Sequence, residues 1–132
     1  MKYIIDTHVF LWLLFEPQKI AIKKLKILEN PLNAVYVSSL SFWEISLKYA
    51  LGKLELNAFE PDDLVELAIE MDIRIVDIDA RDMASYFKLG KVDKHRDPFD
   101  RLLIYYCINH DYCLVSDDDK FFQYKNLGLK LL

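Results

Sequence analysis

Asp6, Glu44, Asp100 and the run Asp117-Asp118-Asp119 are the residues of this 132-residue chain whose types and spacing can do chemistry. Asp100 is the most pointed of them. In Asp97-Pro98-Phe99-Asp100-Arg101-Leu102-Leu103-Ile104-Tyr105-Tyr106-Cys107-Ile108 it falls in register with Leu103, Ile104, Cys107 and Ile108, the apolar stripe of an amphipathic helix. A carboxylate on that stripe loses hydration, and folding tolerates the loss only if the charge is neutralised, paired or bound to a metal. Carboxylates gathered without a cation also raise one another's pKa, so a cluster of these acids predicts a divalent ion. Ligation by carboxylate oxygen alone points to Mg²⁺ or Mn²⁺ rather than zinc.

Such a cluster needs elements that bring distant acids together. Strand-like runs at Tyr3-Ile4-Ile5, Val35-Tyr36-Val37, Ile73 to Ile78, Cys113-Leu114-Val115 and Leu129 to Leu132 alternate with helical patterns near 8–15, 18–29, 40–51, 61–71, 80–88 and 98–110. This alternation predicts one α/β domain over 1–132, a three-layer α/β/α sandwich around a mainly parallel sheet of about five strands. Ligands of open α/β sheets bind beyond the carboxyl ends of the strands. The first strand ends in Asp6, then Thr7 and His8; the second leads through Ser38-Ser39-Leu40-Ser41 into a helix carrying Glu44. The fourth ends at Ser116 and enters the acidic run, and the helix of Asp100 precedes that strand. A parallel sheet therefore gathers all of these acids at one edge.

Each acid also suits a simpler role. Asp6 and Asp97 fit helix N-caps, the latter with Pro98 at the first helical position. Glu44 is spaced i,i+4 from Lys48, and Asp117 to Asp119 fit a solvated turn. Their coincidence at one sheet edge, with Asp100 facing inward, favours a site. The net charge of −4 argues against a protein that coats nucleic acid, but leaves room for an enzyme that meets it through a bound cation and a local basic rim. Cys107 and Cys113 form no metal or redox motif and read as reduced, buried residues of a cytoplasmic protein; neither a signal peptide nor a membrane span is expected. A receiver domain would need a phosphoacceptor aspartate after the third strand and a late lysine. A haloacid-dehalogenase-like phosphatase would need an acid at position 8, where His8 stands, and dinucleotide binding a glycine-rich turn, although no glycine precedes Gly52.

The motifs Asp6-Thr7-His8 with Leu11-Trp12, Ser38-Ser39-Leu40-Ser41-Phe42-Trp43-Glu44-Ile45 running to Lys48 and Leu51-Gly52-Lys53-Leu54, and His95-Arg96-Asp97-Pro98-Phe99-Asp100-Arg101-Leu102-Leu103 closely resemble the PIN domains, and among them the VapC toxins of bacterial toxin–antitoxin modules. The resemblance covers nearly the whole chain. It implies a Mg²⁺- or Mn²⁺-dependent single-strand ribonuclease whose acidic quartet falls on Asp6, Glu44, Asp100 and an aspartate after the fourth strand. Ser116, Asp118 and Phe121 fit the spacing for that last position, and Asp117 is the neighbour that competes for it. Thr7 and Ser116 become supporting hydroxyls, and Asp97 and Asp117 supporting acids. With water as the nucleophile, cleavage is expected to leave 5′-phosphate and 3′-hydroxyl ends. Lys48, Lys53, His95, Arg96 and Arg101 are candidate phosphate contacts, and His8 is expected on the rim or in a structural role. One departure follows Leu103, where similar sequences continue with small residues and this one has Ile104-Tyr105-Tyr106-Cys107.

The resemblance further implies a homodimer and a small antitoxin whose tail covers the acids. Phe10, Trp12, Leu13, Leu14, Phe15 and Ile20 exceed what one helical face buries in a small domain, so some of them are expected in an antitoxin groove or dimer interface. The rival reading is a non-catalytic PIN-like module that binds RNA or protein.

Overall fold

A computed structural model describes all residues 1–132. Its chain order is β1 (Lys2–Ile5), α1 (Thr7–Phe15), α2 (Ile22–Glu29), β2 (Ala34–Ser38), α3 (Ser39–Ala50), α4 (Asp63–Glu70), β3 (Arg74–Val76), α5 (Ala80–Ser85), α6 (Pro98–His110), β4 (Cys113–Val115) and β5 (Lys130–Leu131). Three 3₁₀ segments, Pro17–Lys19, Tyr86–Lys88 and Asp119–Leu127, complete it. The five strands pair in the order β3-β2-β1-β4-β5, and every pairing is parallel. The sheet is thus wholly rather than mainly parallel.

Side chains alternate across the sheet with period two. Tyr3 and Ile5 of β1, Val35 and Val37 of β2, and Cys113 and Val115 of β4 enter one core, together with Val9, Phe10, Ile45, Leu64 and Ala68. Ile4 and Leu114 enter the opposite core with Leu103 to Cys107 of α6 and with Phe121 and Tyr124. Two cores on two faces make the three-layer sandwich. The bulk after Leu103 is absorbed in the second core: Tyr105 donates to Ser85 Oγ at 2.8 Å, and Tyr106 stacks on His110 and Tyr112 at centroid distances of 4.3 and 5.7 Å.

Several boundaries differ from the sequence expectation. The pattern near 18–29 breaks at Ile20 and Ala21, because a proline-led 3₁₀ turn ends at Ile20, which is extended, and Ala21 is the non-helical N-cap of α2. The solvated turn expected at Asp117 to Asp119 leads into a long 3₁₀ segment, Asp119–Leu127, ended by Gly128 at φ +102°. Phe10 and Ile20 are core residues and cannot line an interface. Trp12 and Phe15 are half-buried beside Leu54 and Leu56 in a shallow cleft.

Ile104 is fully buried at the centre of α6. Ile104→Ala is expected to cost about 2–5 kcal/mol of unfolding free energy in urea melts, whereas Ile69→Ala, at an exposed position of α4, is expected to cost under about 1 kcal/mol.

Candidate active site

The chain leaves β1 toward β2 and β3 on one side and returns to place β4 and β5 on the other, so the strand order reverses between β1 and β4. Their carboxyl ends flank the crevice where such folds bind ligands. Asp6 stands at the end of β1, buried, and its amide donates to Val115 O at 3.1 Å. Its Oδ1 accepts from the Val9 amide at 2.9 Å, capping α1, and its Oδ2 accepts from Ser116 Oγ at 2.5 Å. The cap and the site are therefore the same carboxylate.

Glu44 lies two turns into α3, which Ser38 begins by accepting from the Leu40 amide at 3.0 Å. Its carboxylate is 5% exposed. Oε1 is 2.6 Å from Thr7 Oγ1, itself 2.9 Å from Ser41 Oγ, and Oε2 accepts from Lys48 Nζ at 2.8 Å. A carboxylate can only accept, so Thr7 donates to Glu44 and Ser41 donates to Thr7. The i,i+4 pair with Lys48 is real, and it points into the cleft rather than away from it.

Asp97 caps α6 by accepting from the Asp100 amide at 3.1 Å, with Pro98 as the first helical residue. Asp118 receives little support: its Oδ1 accepts from the Lys120 amide at 2.9 Å, and its own amide donates to Ser116 Oγ at 3.1 Å. Asp6, Glu44, Asp100 and Asp118 all line one cleft of about 290 Å³, with His8, Lys48, Lys94, Arg96, Asp97 and Lys120 on its walls. Asp117 instead lines a neighbouring depression, 4.0 Å from Lys24 Nζ. Lys53 is exposed and not part of the cleft.

Two expected phosphate contacts turn out to be internal. His95 is 4% exposed, and Arg101 lies buried with Nε donating to Tyr86 OH at 2.8 Å, Nη1 to Tyr124 OH at 2.9 Å and Nη2 to Gly90 O at 3.2 Å. Tyr124 OH meets His95 Nδ1 at 2.6 Å, and His95 Nε2 meets Asp100 Oδ2 at 3.3 Å. Arginine only donates, so Tyr124 accepts from Arg101 and gives its own proton to Nδ1; His95 then carries its proton on Nε2 and donates to Asp100. Burial lowers the His95 pKa, which agrees with that neutral form. Sequence reasoning missed Tyr124, Lys94 and Lys120, for none sits in a motif; Ser41 was within one but had no assigned role.

The sequence matches the PIN domain family over residues 3–127. This chain belongs to the PIN domain family. Comparison with curated protein sequences gives no match. Among solved structures, the PIN domain resembles VapBC2 from Rickettsia felis bound to a DNA fragment from its promoter, with TM-score 0.71 and 19% identity over 100% of this chain and 98% of that one. It also resembles VapBC-1 from nontypeable Haemophilus influenzae, with TM-score 0.68 and 17% identity over 100% and 97% of the two chains. A third likeness is to FitAcB from Neisseria gonorrhoeae, with TM-score 0.64 and 20% identity over 98% and 96%. PIN domains are in general nucleases that use a divalent metal.

The donors of this PIN domain suit such an ion. Its cleft offers carboxylate and hydroxyl oxygens, the ligands of hard cations. No three acids or histidines stand close enough to form a closed shell. An ion would thus be held by one or two carboxylates with water completing its coordination, the usual habit of Mg²⁺. Electrostatics favours it too. Burial pushes the Asp100 carboxyl up to about 7, with Asp97, Glu44, Asp6 and Asp118 adding repulsion. Burial also raises Asp6, against the bonds from Ser116 and Val9 that hold it down.

A carboxyl whose folded pKa lies above its unfolded value adds stability only while it is protonated. The contribution of Asp100 is therefore present below its ordinary 3.8 and is lost as pH rises through about 7. In metal-free buffer, Asp100→Asn is expected to stabilise the fold at pH 8 by about 1–4 kcal/mol and to change it far less at pH 4. Thermal melts of both proteins at the two pH values check this, and equal differences at pH 4 and pH 8 would contradict the electrostatic account.

Proposed function

We propose that this PIN domain is a metal-dependent, single-strand-specific endoribonuclease, the toxin of a VapBC-type toxin–antitoxin pair. The observation that carries the reading is the convergence of Asp6, Glu44, Asp100 and Asp118 from four separate segments on one cleft, with Asp100 raised to about 7 by burial and by its acidic neighbours. Asp6 and Asp100 are the principal ligands in this reading, with Glu44 and Asp118 holding a second ion or ordering water. A divalent ion bound there supplies an activated water and offsets charge on the phosphate.

The chain's own groups have separable duties. Ser116 and Val9 keep Asp6 fixed and aimed, and Thr7 does the same for Glu44. Asp100 would hold the cation through its carboxylate, and His95 fixes one of its oxygens. Lys48 and Arg96 stand where a phosphate backbone would pass. Water attacks phosphorus and the bond to the ribose 3′ oxygen breaks, so the products carry 5′-phosphate and 3′-hydroxyl ends.

The same reading assigns partners. Neighbours of like fold were solved as VapBC and FitAcB assemblies. The cleft of Trp12, Phe15, Leu54 and Leu56 is assigned to a small antitoxin. The exposed stripe of Trp43 and Leu47 on α3 and Leu51 at its C-cap is assigned to a second copy of the chain. No helix is long and apolar enough to cross a membrane, and the reading places the protein in the cytoplasm with its RNA.

Total RNA incubated with purified protein and Mg²⁺ or Mn²⁺ tests the activity. Wild type is expected to cut and to leave 5′-phosphate ends, while Asp100→Asn, folded by circular dichroism, is expected to lose about a hundredfold or more in rate. Equal cleavage by both proteins, or 2′,3′-cyclic phosphate ends, would sink the assignment. Negligible Mn²⁺ binding together with no cleavage would favour a non-catalytic binding module.

A further inference from the structure

A second cleft of about 520 Å³ adjoins the acidic one and shares Lys94, His95 and Arg96 with it. Its charged lining is Lys91, Lys94, Arg96 and Arg101 against the single carboxylate of Asp93. On a chain of net charge −4 this is a local inversion of sign. Lys91, Lys94 and Arg96 are exposed and have no ion-pair partner within 4 Å. Ordinary surface lysines are free to wander, but these ride on a segment tied down at both ends. Gly90 O accepts from the buried guanidinium of Arg101, and His95 is gripped by Tyr124 and Asp100. Between the ties the backbone is turned tightly, with the His95 amide donating to Val92 O at 3.3 Å and Lys94 at φ +62°. Such a φ disfavours a long side chain, so packing and hydrogen bonds must hold it there.

The chain Arg101–Tyr124–His95–Asp100 thus sets the basic segment in register with the acids. We propose that residues 91–96 form a second phosphate-binding subsite, which takes a backbone phosphate of a single-stranded nucleic acid on one side of the scissile position. This rests on the nuclease reading, since the occupant of the acidic cleft is what makes its neighbour a flanking phosphate. The two clefts then divide the work. The acidic cleft needs a cation before it tolerates any phosphate, whereas the basic one attracts phosphate without metal. Strand binding should accordingly persist when metal is withheld, and the basic segment should limit how strands enter.

The test is fluorescence anisotropy of a labelled single-stranded RNA oligonucleotide in EDTA across a salt series, run beside the cleavage assay with Mn²⁺. Lys91→Glu, and the pair Lys91→Glu with Lys94→Glu, lie on exposed positions, and circular dichroism checks their fold. Wild type is expected to bind in EDTA. The slope of log affinity against log salt should shrink by roughly 0.7 for each phosphate that a variant no longer neutralises. Lys26→Glu, on α2 and outside both clefts, should leave the slope unchanged. If wild type cleaves RNA while the double variant binds and cleaves as wild type does, the subsite is refuted and the nuclease reading stands. If wild type neither binds in EDTA nor cleaves, both fall. If the double variant binds with a smaller slope and cleaves more slowly at low RNA concentration, the subsite holds.

Discussion

The carboxylate of Asp6 joins the two halves of the sheet at the point where the strand order reverses. It ends β1, starts α1 through the Val9 amide and receives the hydroxyl of Ser116 from the end of β4, while its own amide bonds to Val115 O. Three consequences follow from this one group. Helix α1 leaves the sheet at a fixed angle, the end of β4 is locked beside β1, and the segment that carries Asp118 starts from a defined place. Loss of Asp6 would therefore disturb geometry as well as charge, which makes Asp100 the cleaner probe of chemistry.

Restraint among the acids is graded. Glu44 is held by Thr7 and neutralised by Lys48, and Asp6 is held by two donors. Asp100 has one long bond from a neutral histidine and is 27% exposed, so it retains freedom to move and bears the repulsion of the rest. Asp118 is exposed and held only through its own turn. The arrangement pairs a rigid half with an adjustable half. That division suits a hydrated cation, to which the carboxylates of Asp100 and Asp118 would be free to adjust.

How much of this was legible in the sequence depends on distance along the chain. The short β-rich runs Tyr3-Ile4-Ile5 and Val35-Tyr36-Val37 marked the strands, and the acids stood at their ends because parallel strands share one carboxyl edge. The caps at Asp6 and Asp97 were legible for the same local reason, and the family resemblance added the quartet. Arg101 and His95 were expected at the surface because charged side chains are presumed exposed, and only their partners at Tyr86, Gly90 and Tyr124 reveal that both are buried. Those partners lie up to 29 positions away, beyond any periodic pattern. The 3₁₀ segment at 119–127 was hidden because its apolar residues, Phe121 and Tyr124, are spaced three apart and are also compatible with a turn.

Hydrogen bonding at this site is complete: no buried side-chain nitrogen or oxygen in the chain lacks a partner. What stays unsatisfied at the cleft is charge. Asp6 and Glu44 are already engaged by donors, whereas Asp100 and Asp118 keep carboxylate oxygens free to face a ligand. A ligand that brought positive charge would relieve the repulsion on Asp100 at once. The cleft therefore selects for cations in a broad sense, whether a metal ion or a basic side chain of another protein, and the two must compete for the same carboxylates. Occupancy by a basic side chain would leave the site electrostatically content and chemically idle, because an ammonium or guanidinium offsets charge but cannot activate water as a hydrated metal ion does. The repulsion among these carboxylates is thus what either kind of cation would relieve.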